Sequence, residues 1–310
     1  MREIVFLKPV FKEMIWGGNR LKTDFLYDIP GDKTGECWAV SAHKNGDCLV
    51  ESGSFAGSTL SQLWQSHREL FGNVTGDVFP LLIKIIDAKA DLSIQVHPDD
   101  EYARVNENGS LGKTECWYIL DCDEDAKIVI GHHAKSKTLL TEMIHKNEWD
   151  NLIRVLPIKK GDFFQIEPGT VHAIKAGTLI LETQQNSDIT YRLYDYGRLQ
   201  DGKPRELHIE KSIDVIGCPH KDIIAEHKIT KLEGATVDQL ISCGYYTVNL
   251  IEVAGKQLFT QDKEFTIISV VDGEGMIDGT KITKGDHFIL PYGYGDYEIS
   301  GNMRMVSSHI

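Results

Sequence analysis

Two residue types that rarely share a buried strand sit two positions apart in LSIQVHP (92–98): the amide of Gln95 and the imidazole of His97. At the two-residue period of a β-strand they point to one face, with Ser93, while Ile94 and Val96 point to the other. Burying an amide and an imidazole is costly unless each is hydrogen-bonded or bound to a metal. Glu115 opens a second β-type run just before Cys116-Trp117-Tyr118. His172 follows the Pro168-Gly169 turn on a third. Gathered into one cavity, two imidazoles, a carboxylate and an amide oxygen form a borderline-to-hard donor set. Such a set suits zinc and leaves room for water or substrate. The remaining histidines carry less. His43, His67, His145 and His220 lie in polar company and read as surface, and His132-His133 is an adjacent pair with only a weak metal signal.

Other residues around this constellation can handle an anion or a proton. In TYRLYDYGR, positions 190, 192 and 194 share a face, so Arg192 presents a fixed planar cation able to bind phosphate or stabilise developing negative charge. The competing reading pairs it with Asp188 or Asp195 on a solvated strand. Lys113, two residues before Glu115, reads as a cavity-rim cation or, if desolvated, a base, against an ordinary loop lysine. Glu182 follows TLIL and reads as an acceptor behind the metal or a proton shuttle, against a strand-end carboxylate. Ser93 reads as a contact for a substrate hydroxyl or phosphate, or simply as a strand serine. Asp99 and Asp100 read as caps of the helix after Pro98, and Trp16 as packing.

The elements that must position these groups are mostly short strands. Apolar β-type runs at 4–10, 37–42, 81–86, 93–96, 116–120, 127–130, 163–166, 178–182, 190–193, 247–253, 266–271 and 288–290 are punctuated by Gly-rich turns, which argues for an antiparallel sandwich or barrel. Two helices are expected. One follows Ser58 as N-cap with Leu60, Leu63, Trp64 and Leu70 on one face. The other starts near Ser136 with Leu139, Leu140, Met143 and Ile144 at helical spacing. An internal repeat organises the chain: KGDFFQIEPGTVHAI (160–174) and KGDHFILPYGYGDYEI (284–299) share Lys-Gly-Asp, an apolar strand and a Pro/Gly turn, each behind a hairpin. The order resembles the cupin pattern, a small jelly roll. Four residues after its proline the first copy has His172, whereas the second has Gly295, so the first copy keeps a ligand and the second has lost it. The expectation is a mainly β chain of two cupin-type jelly rolls. Residues 1–230 form the catalytic unit, with a helical insertion near 136–155, and residues 231–310 a degenerate unit.

Composition excludes other classes. The 310 residues hold 33 Lys+Arg against 46 Asp+Glu, a net charge of −13 that argues against nucleic acid or an anionic membrane surface as partner. A small phosphorylated ligand stays possible, because charges beyond about 8 Å are screened at physiological salt and the cleft's own cations decide. No run approaches the ~18 apolar residues of a membrane span, and no signal peptide is read. The six cysteines show no C-x-x-C spacing, so a reduced, cytoplasmic protein is expected.

Longer stretches carry a more specific resemblance. FPLLIKIIDAKADLSIQVHPDDEYA (79–103), Ile15-Trp16-Gly17-Gly18, Gly35-Glu36-Cys37-Trp38, Lys113-Thr114-Glu115, PGTVHAI (168–174) and LETQQNSDITYRLYDYGR (181–198) together resemble the type I mannose-6-phosphate isomerases in their short bacterial form. Thr114 departs from the family's common Lys-Pro-Glu. The resemblance implies one zinc ion per chain held by Gln95, His97, Glu115 and His172, interconversion of mannose 6-phosphate and fructose 6-phosphate, and an active-site arginine at Arg192. Two alternatives stay open: a cupin oxygenase with non-haem iron, and a sugar-binding cupin without catalysis.

Overall fold

The computed structural model describes residues 2–310 as a mainly β chain whose strands pair antiparallel. Its N-terminal part is a sandwich of two sheets. One runs in the order Phe163–Ile166, Glu115–Cys122, Thr178–Gln185, Leu81–Ala88, Val10–Gly18 and Thr34–Val40. The other runs Ile153–Pro157, Lys127–His132, His172–Ile174, Ile94–Val96 and Tyr191–Tyr194. The mainly β, cupin-type architecture expected from the repeat is what the chain adopts.

Leu81–Ala88, Thr178–Gln185 and the first six residues of Glu115–Cys122 are buried throughout because both faces of the six-stranded sheet are covered. Leu81, Ile83, Ile85, Cys116, Tyr118, Leu179 and Leu181 face a core shared with the C-terminal sheet. Ile86, Trp117, Ile119 and Ile180 face inward and pack with Ile128, Ile130 and Ile174 of the five-stranded sheet. The same inward positions change character along each strand: Lys84 precedes Ile86, Glu115 precedes Trp117, and Glu182 and Gln184 follow Ile180. One end of the inter-sheet space is therefore apolar and the other polar.

The outer face of the five-stranded sheet is covered by Lys137–His145 and Ile209–Val215 through Leu140, Met143, Ile144 and Ile213, with Ile216 just past the second helix, against Ile94, Val96 and Leu193. Ser136 caps the first of these, accepting from Leu139 N. The earlier helix, Leu60–Ser66, starts one residue later than expected. Its cap is Thr59, which accepts from Gln62 N in a reciprocal capping box, and Leu70 lies in the separate turn Arg68–Phe71.

The third sheet runs Lys228–Lys231, Ala235–Ser242, Thr247–Gln261, Gly295–His309, Phe265–Ile277, His287–Pro291, Val5–Lys8 and Leu49–Val50, with Thr280–Thr283 on Phe265–Ile277. The sequence run at 4–10 is thus divided at Pro9, with Val5–Lys8 in this sheet and Val10–Gly18 in the sandwich. The repeat is visible in backbone detail. Gly161 and Gly285 have φ of 89° and 99°, which glycine alone adopts without strain. Asp162 accepts from Lys159 N as Asp286 accepts from Thr283 N, and Gly161 N donates to Ile119 O as Gly285 N does to Val270 O.

Candidate metal centre

The site lies where the sandwich interior turns polar. Gln95 is paired across the sheet with His172 on one side and Arg192 on the other, so all three project from one rung of the five-stranded sheet. His97 follows two residues later on the same face. Glu115 comes from the facing sheet, where it pairs with Ile166 and Gln184. Together the two sheets bring His97 Nε2 to 3.1 Å from His172 Nε2, and each to 3.4 Å from a Glu115 oxygen. All three side chains are buried. Among the described residues this is the one group of three histidine, cysteine or carboxylate side chains arranged to hold a metal ion.

The donor chemistry fits a cation. His97 Nδ1 is 2.8 Å from Ile189 O and His172 Nδ1 is 2.8 Å from Thr170 O. A carbonyl only accepts, so each ring carries its proton on Nδ1 and turns the lone pair of Nε2 toward the other ring and the carboxylate. Glu115 is buried; its Oε2 meets the Lys113 ammonium at 2.8 Å, and its Oε1 has no hydrogen-bond partner. Two lone pairs and a carboxylate converging in a buried space are mutually repulsive unless a cation sits between them. Burial pushes His97 down to about 3 and His172 down as well, so both rings are neutral, as ligands must be. Gln95 Nε2 lies 3.3 Å from His172 Nε2. A half-turn of the amide exchanges this nitrogen for its oxygen at the same point.

Behind the cluster stands a line of charged groups. Lys113 Nζ is 2.8 Å from Glu115 and 3.9 Å from Glu182, and Lys84 Nζ is 3.6 Å from Glu182 and 3.8 Å from Glu36. Burial alone would raise the Glu115 carboxyl, but the Lys113 ammonium holds it well below the usual range. For Lys113, burial is likewise outweighed by the two carboxylates, which raise it. Glu182 is raised, by burial first and then by Glu115. Glu182 lies within Thr178–Gln185 and accepts from Trp117 Nε1 at 2.9 Å, so it is an interior group, not a strand-end carboxylate. The backbone N–H of Thr114 donates to Gln185 Oε1 at 2.8 Å, a bond that a proline there could not make.

A cavity of about 450 Å³ opens beside these groups, lined by Ser93, Gln95, Lys113, Glu182 and Arg192 together with Trp16, Glu36, Trp38, Lys84, Arg205 and His208. Arg192 does not pair with Asp188 or Asp195. Asp195 is taken by Arg198 and Arg205, and Asp188 lies against Asn45 and His43. Arg192 Nη1 donates to Glu206 O at 2.9 Å, while Nε is buried and unpartnered. Burial and then Arg205 lower its pKa.

Several expectations need correcting. His43 and His220 are largely covered, with side chains 11% and 10% exposed, because His43 packs against Trp38 and His220 against Arg154. Asp99 caps Asp100–Asn106 by accepting from Tyr102 N, but Asp100 instead accepts from Gly112 N, Gln185 and Tyr245. Lys84, Glu36 and Arg205 were not singled out from the sequence. For Lys84 the available signal is a lone ammonium inside the run LLIKII.

Comparison with known proteins agrees with this geometry. The model of the phosphomannose isomerase type I catalytic domain matches residues 4–121, and that of the mannose-6-phosphate isomerase cupin domain matches residues 236–310. The chain is 53% identical to mannose-6-phosphate isomerase ManA of Bacillus subtilis (strain 168), covering 99% of each chain. It is 46% identical to the mannose-6-phosphate isomerase of Streptococcus mutans, covering 100% of this chain and 99% of that one. A crystal structure of the mannose 6-phosphate isomerase from Bacillus subtilis superposes with a TM-score of 0.98 at 49% identity, covering 99% of each chain.

Proposed function

The chain belongs to the type I phosphomannose isomerases, and from that premise we propose that it interconverts mannose 6-phosphate and fructose 6-phosphate with one zinc ion held by His97, Glu115, His172 and Gln95. The observation that carries this reading is the convergence of two Nε2 lone pairs and a buried carboxylate, one of whose oxygens has no hydrogen bond, at the edge of a cavity large enough for a sugar phosphate. Aldose–ketose isomerisation moves a proton between C2 and C1 through an enediol, so it requires a base, a relay and stabilisation of charge on O1 and O2. Zinc, when bound, supplies Lewis-acid polarisation or positioning of those oxygens.

The chain's own groups divide the remaining work. Arg192, unpaired with any carboxylate, offers its guanidinium to the phosphate or to the enediolate. Ser93, on the same wall, offers a hydroxyl to the substrate. Glu182 is a protonatable carboxyl facing the cavity. Lys113, between Glu115 at 2.8 Å and Glu182 at 3.9 Å, is the candidate for proton exchange. The division into a catalytic unit, 1–230, and a degenerate unit, 231–310, belongs to this proposal. So does the cytoplasmic location, which accords with six free cysteines. No helix among the described residues is long and apolar enough to cross a membrane.

A coupled assay across several sugar phosphates, with metal content measured before and after a chelator, tests the reading. Turnover of mannose 6-phosphate without oxygen, lost with the zinc and restored by it, is expected. Chelator-resistant turnover by metal-free protein overturns the metal assignment, and oxygen consumption would favour the oxygenase alternative.

A further inference from the structure

The short loop that delivers Lys113 and Glu115 is fastened through three consecutive N–H groups. Gly112 N donates to Asp100 Oδ1 at 2.7 Å, Lys113 N to Pro98 O at 3.0 Å, and Thr114 N to Gln185 Oε1 at 2.8 Å. Gln185 N returns a bond to Thr114 O at 3.0 Å. A Cβ at Gly112 would collide with the backbone of Asp99 and Asp100, so a glycine is what permits this close approach. His97 lies just before Pro98, and Glu115 just after Thr114. The fastening therefore joins the two backbone segments from which one imidazole and the carboxylate reach the metal centre.

Asp100 also decides which end of the Gln185 amide is used. Its Oδ1 accepts from Gln185 Nε2 at 3.0 Å, and its Oδ2 from the Tyr245 hydroxyl at 3.0 Å. A carboxylate only accepts, so Gln185 turns its NH2 to Asp100 and its oxygen to the Thr114 N–H. Without Asp100 the amide is free to turn, and the Gly112 and Thr114 N–H groups lose fixed acceptors. Gln185 and Thr114 are buried, where an unpaired donor is costly. Asp100, Gln185 and Tyr245 line a separate cavity of about 710 Å³, and none of them lines the catalytic one. Any influence they have on the reaction therefore passes through the backbone they hold. We propose that Asp100 and Gln185 are positioning residues for the metal centre: by fixing residues 112–114 they set Glu115 against His97 and Lys113 beside Glu115. This inference rests on the reading of His97 and Glu115 as metal ligands.

The test follows metal release into a chelator from the metal-loaded enzyme, with metal content, kcat, KM and Tm measured for each variant. Asp100→Leu and Gln185→Leu should each release metal about tenfold faster or more, the scale of losing a partner that supports a ligand. Each should lower kcat by a similar factor with KM nearly unchanged. The double variant should add less than about twofold to either, because the two act as a unit. Asp100→Asn should recover most of the loss, since its amide oxygen still accepts from Gly112 and Gln185 while its NH2 donates to the Tyr245 oxygen. A lowered Tm with parent-like metal release and kcat would make the fastening merely structural and overturn the inference. So would a raised KM at unchanged kcat, losses that multiply independently in the double variant, or an Asp100→Asn enzyme as impaired as Asp100→Leu. Stoichiometric metal in Glu115→Ala overturns the ligand reading, and the inference with it. Metal loss in Glu115→Ala beside a parent-like Asp100→Leu enzyme overturns the inference alone. If Asp100→Leu does not accumulate as folded protein, Gln185→Leu carries the same expectations.

Discussion

At the residue scale, the ligand assignment depends on which nitrogen each imidazole presents. Ile189 O and Thr170 O hold the two Nδ1 protons, so Nε2 is the donor atom of both His97 and His172. His97→Ala and His172→Ala should each lose the metal and, with it, activity. Stoichiometric metal in either purified variant would remove that residue from the ligand set. Arg192 stands apart from the cluster and forms no ion pair with a carboxylate. Arg192→Ala should therefore keep its metal while turnover falls at least about a hundredfold, the scale of losing an electrostatic stabiliser. Near-normal rates would make it a structural arginine. The shared face of Gln95 and His97 was legible in sequence because period-two alternation sets them against Ile94 and Val96. Lys84 was harder to read, since a strand covered on both faces shows no alternation to betray which of its residues looks inward.

At the element scale, the helix over the N-terminal half shows how far local signals reach. Both Ser58 and Thr59 are cap-type residues, and sequence alone chose the first. The reciprocal pair with Gln62 belongs to the second. Thr59→Ala should cost about 1 kcal/mol of stability in denaturant unfolding and leave activity intact, while Ser58→Ala should cost little. A larger loss from Ser58 would reverse the cap assignment. Strand cores were generally found in the expected places, but their lengths were not. Thr247–Gln261 extends well beyond the expected run at 247–253, and Gly295–His309, where no strand was expected, joins it through fifteen residue pairs in one long ladder whose outer part is exposed. Backbone pairing of that kind leaves little trace in hydropathy.

At the scale of the whole molecule, the C-terminal sheet is completed by Val5–Lys8 against His287–Pro291, and by a core shared with the sandwich. His287 belongs to this junction. It is buried between Ser269 Oγ and the Tyr27 hydroxyl, each at 2.8 Å, and burial pushes it down to about 3. The unfolded chain, with an ordinary histidine near 6.5, takes up a proton that the folded chain refuses, so this contribution to stability is complete above about pH 6.5 and is lost as pH falls toward 3. At pH 5 the loss is about 2 kcal/mol, from roughly 1.5 pH units at 1.36 kcal/mol each. His287→Gln should be less stable than the parent at pH 8 but show a flatter decline of Tm between pH 6.5 and 5. Parallel declines would mean that another group carries the acid sensitivity.

Strand period, turn glycines and the cost of burying imidazoles are local matters, and they suffice for the mainly β class, the doubled Lys-Gly-Asp unit and the candidate ligand types. Which groups meet depends on how the strands are packed. Glu115 reaches the histidines across the space between two sheets, Asp188 and Asp195 are drawn away from Arg192, and Lys84 stands between carboxylates that lie 48 residues before it and 98 after it. Such contacts depend on strand order and register, which are set by the burial of every face at once.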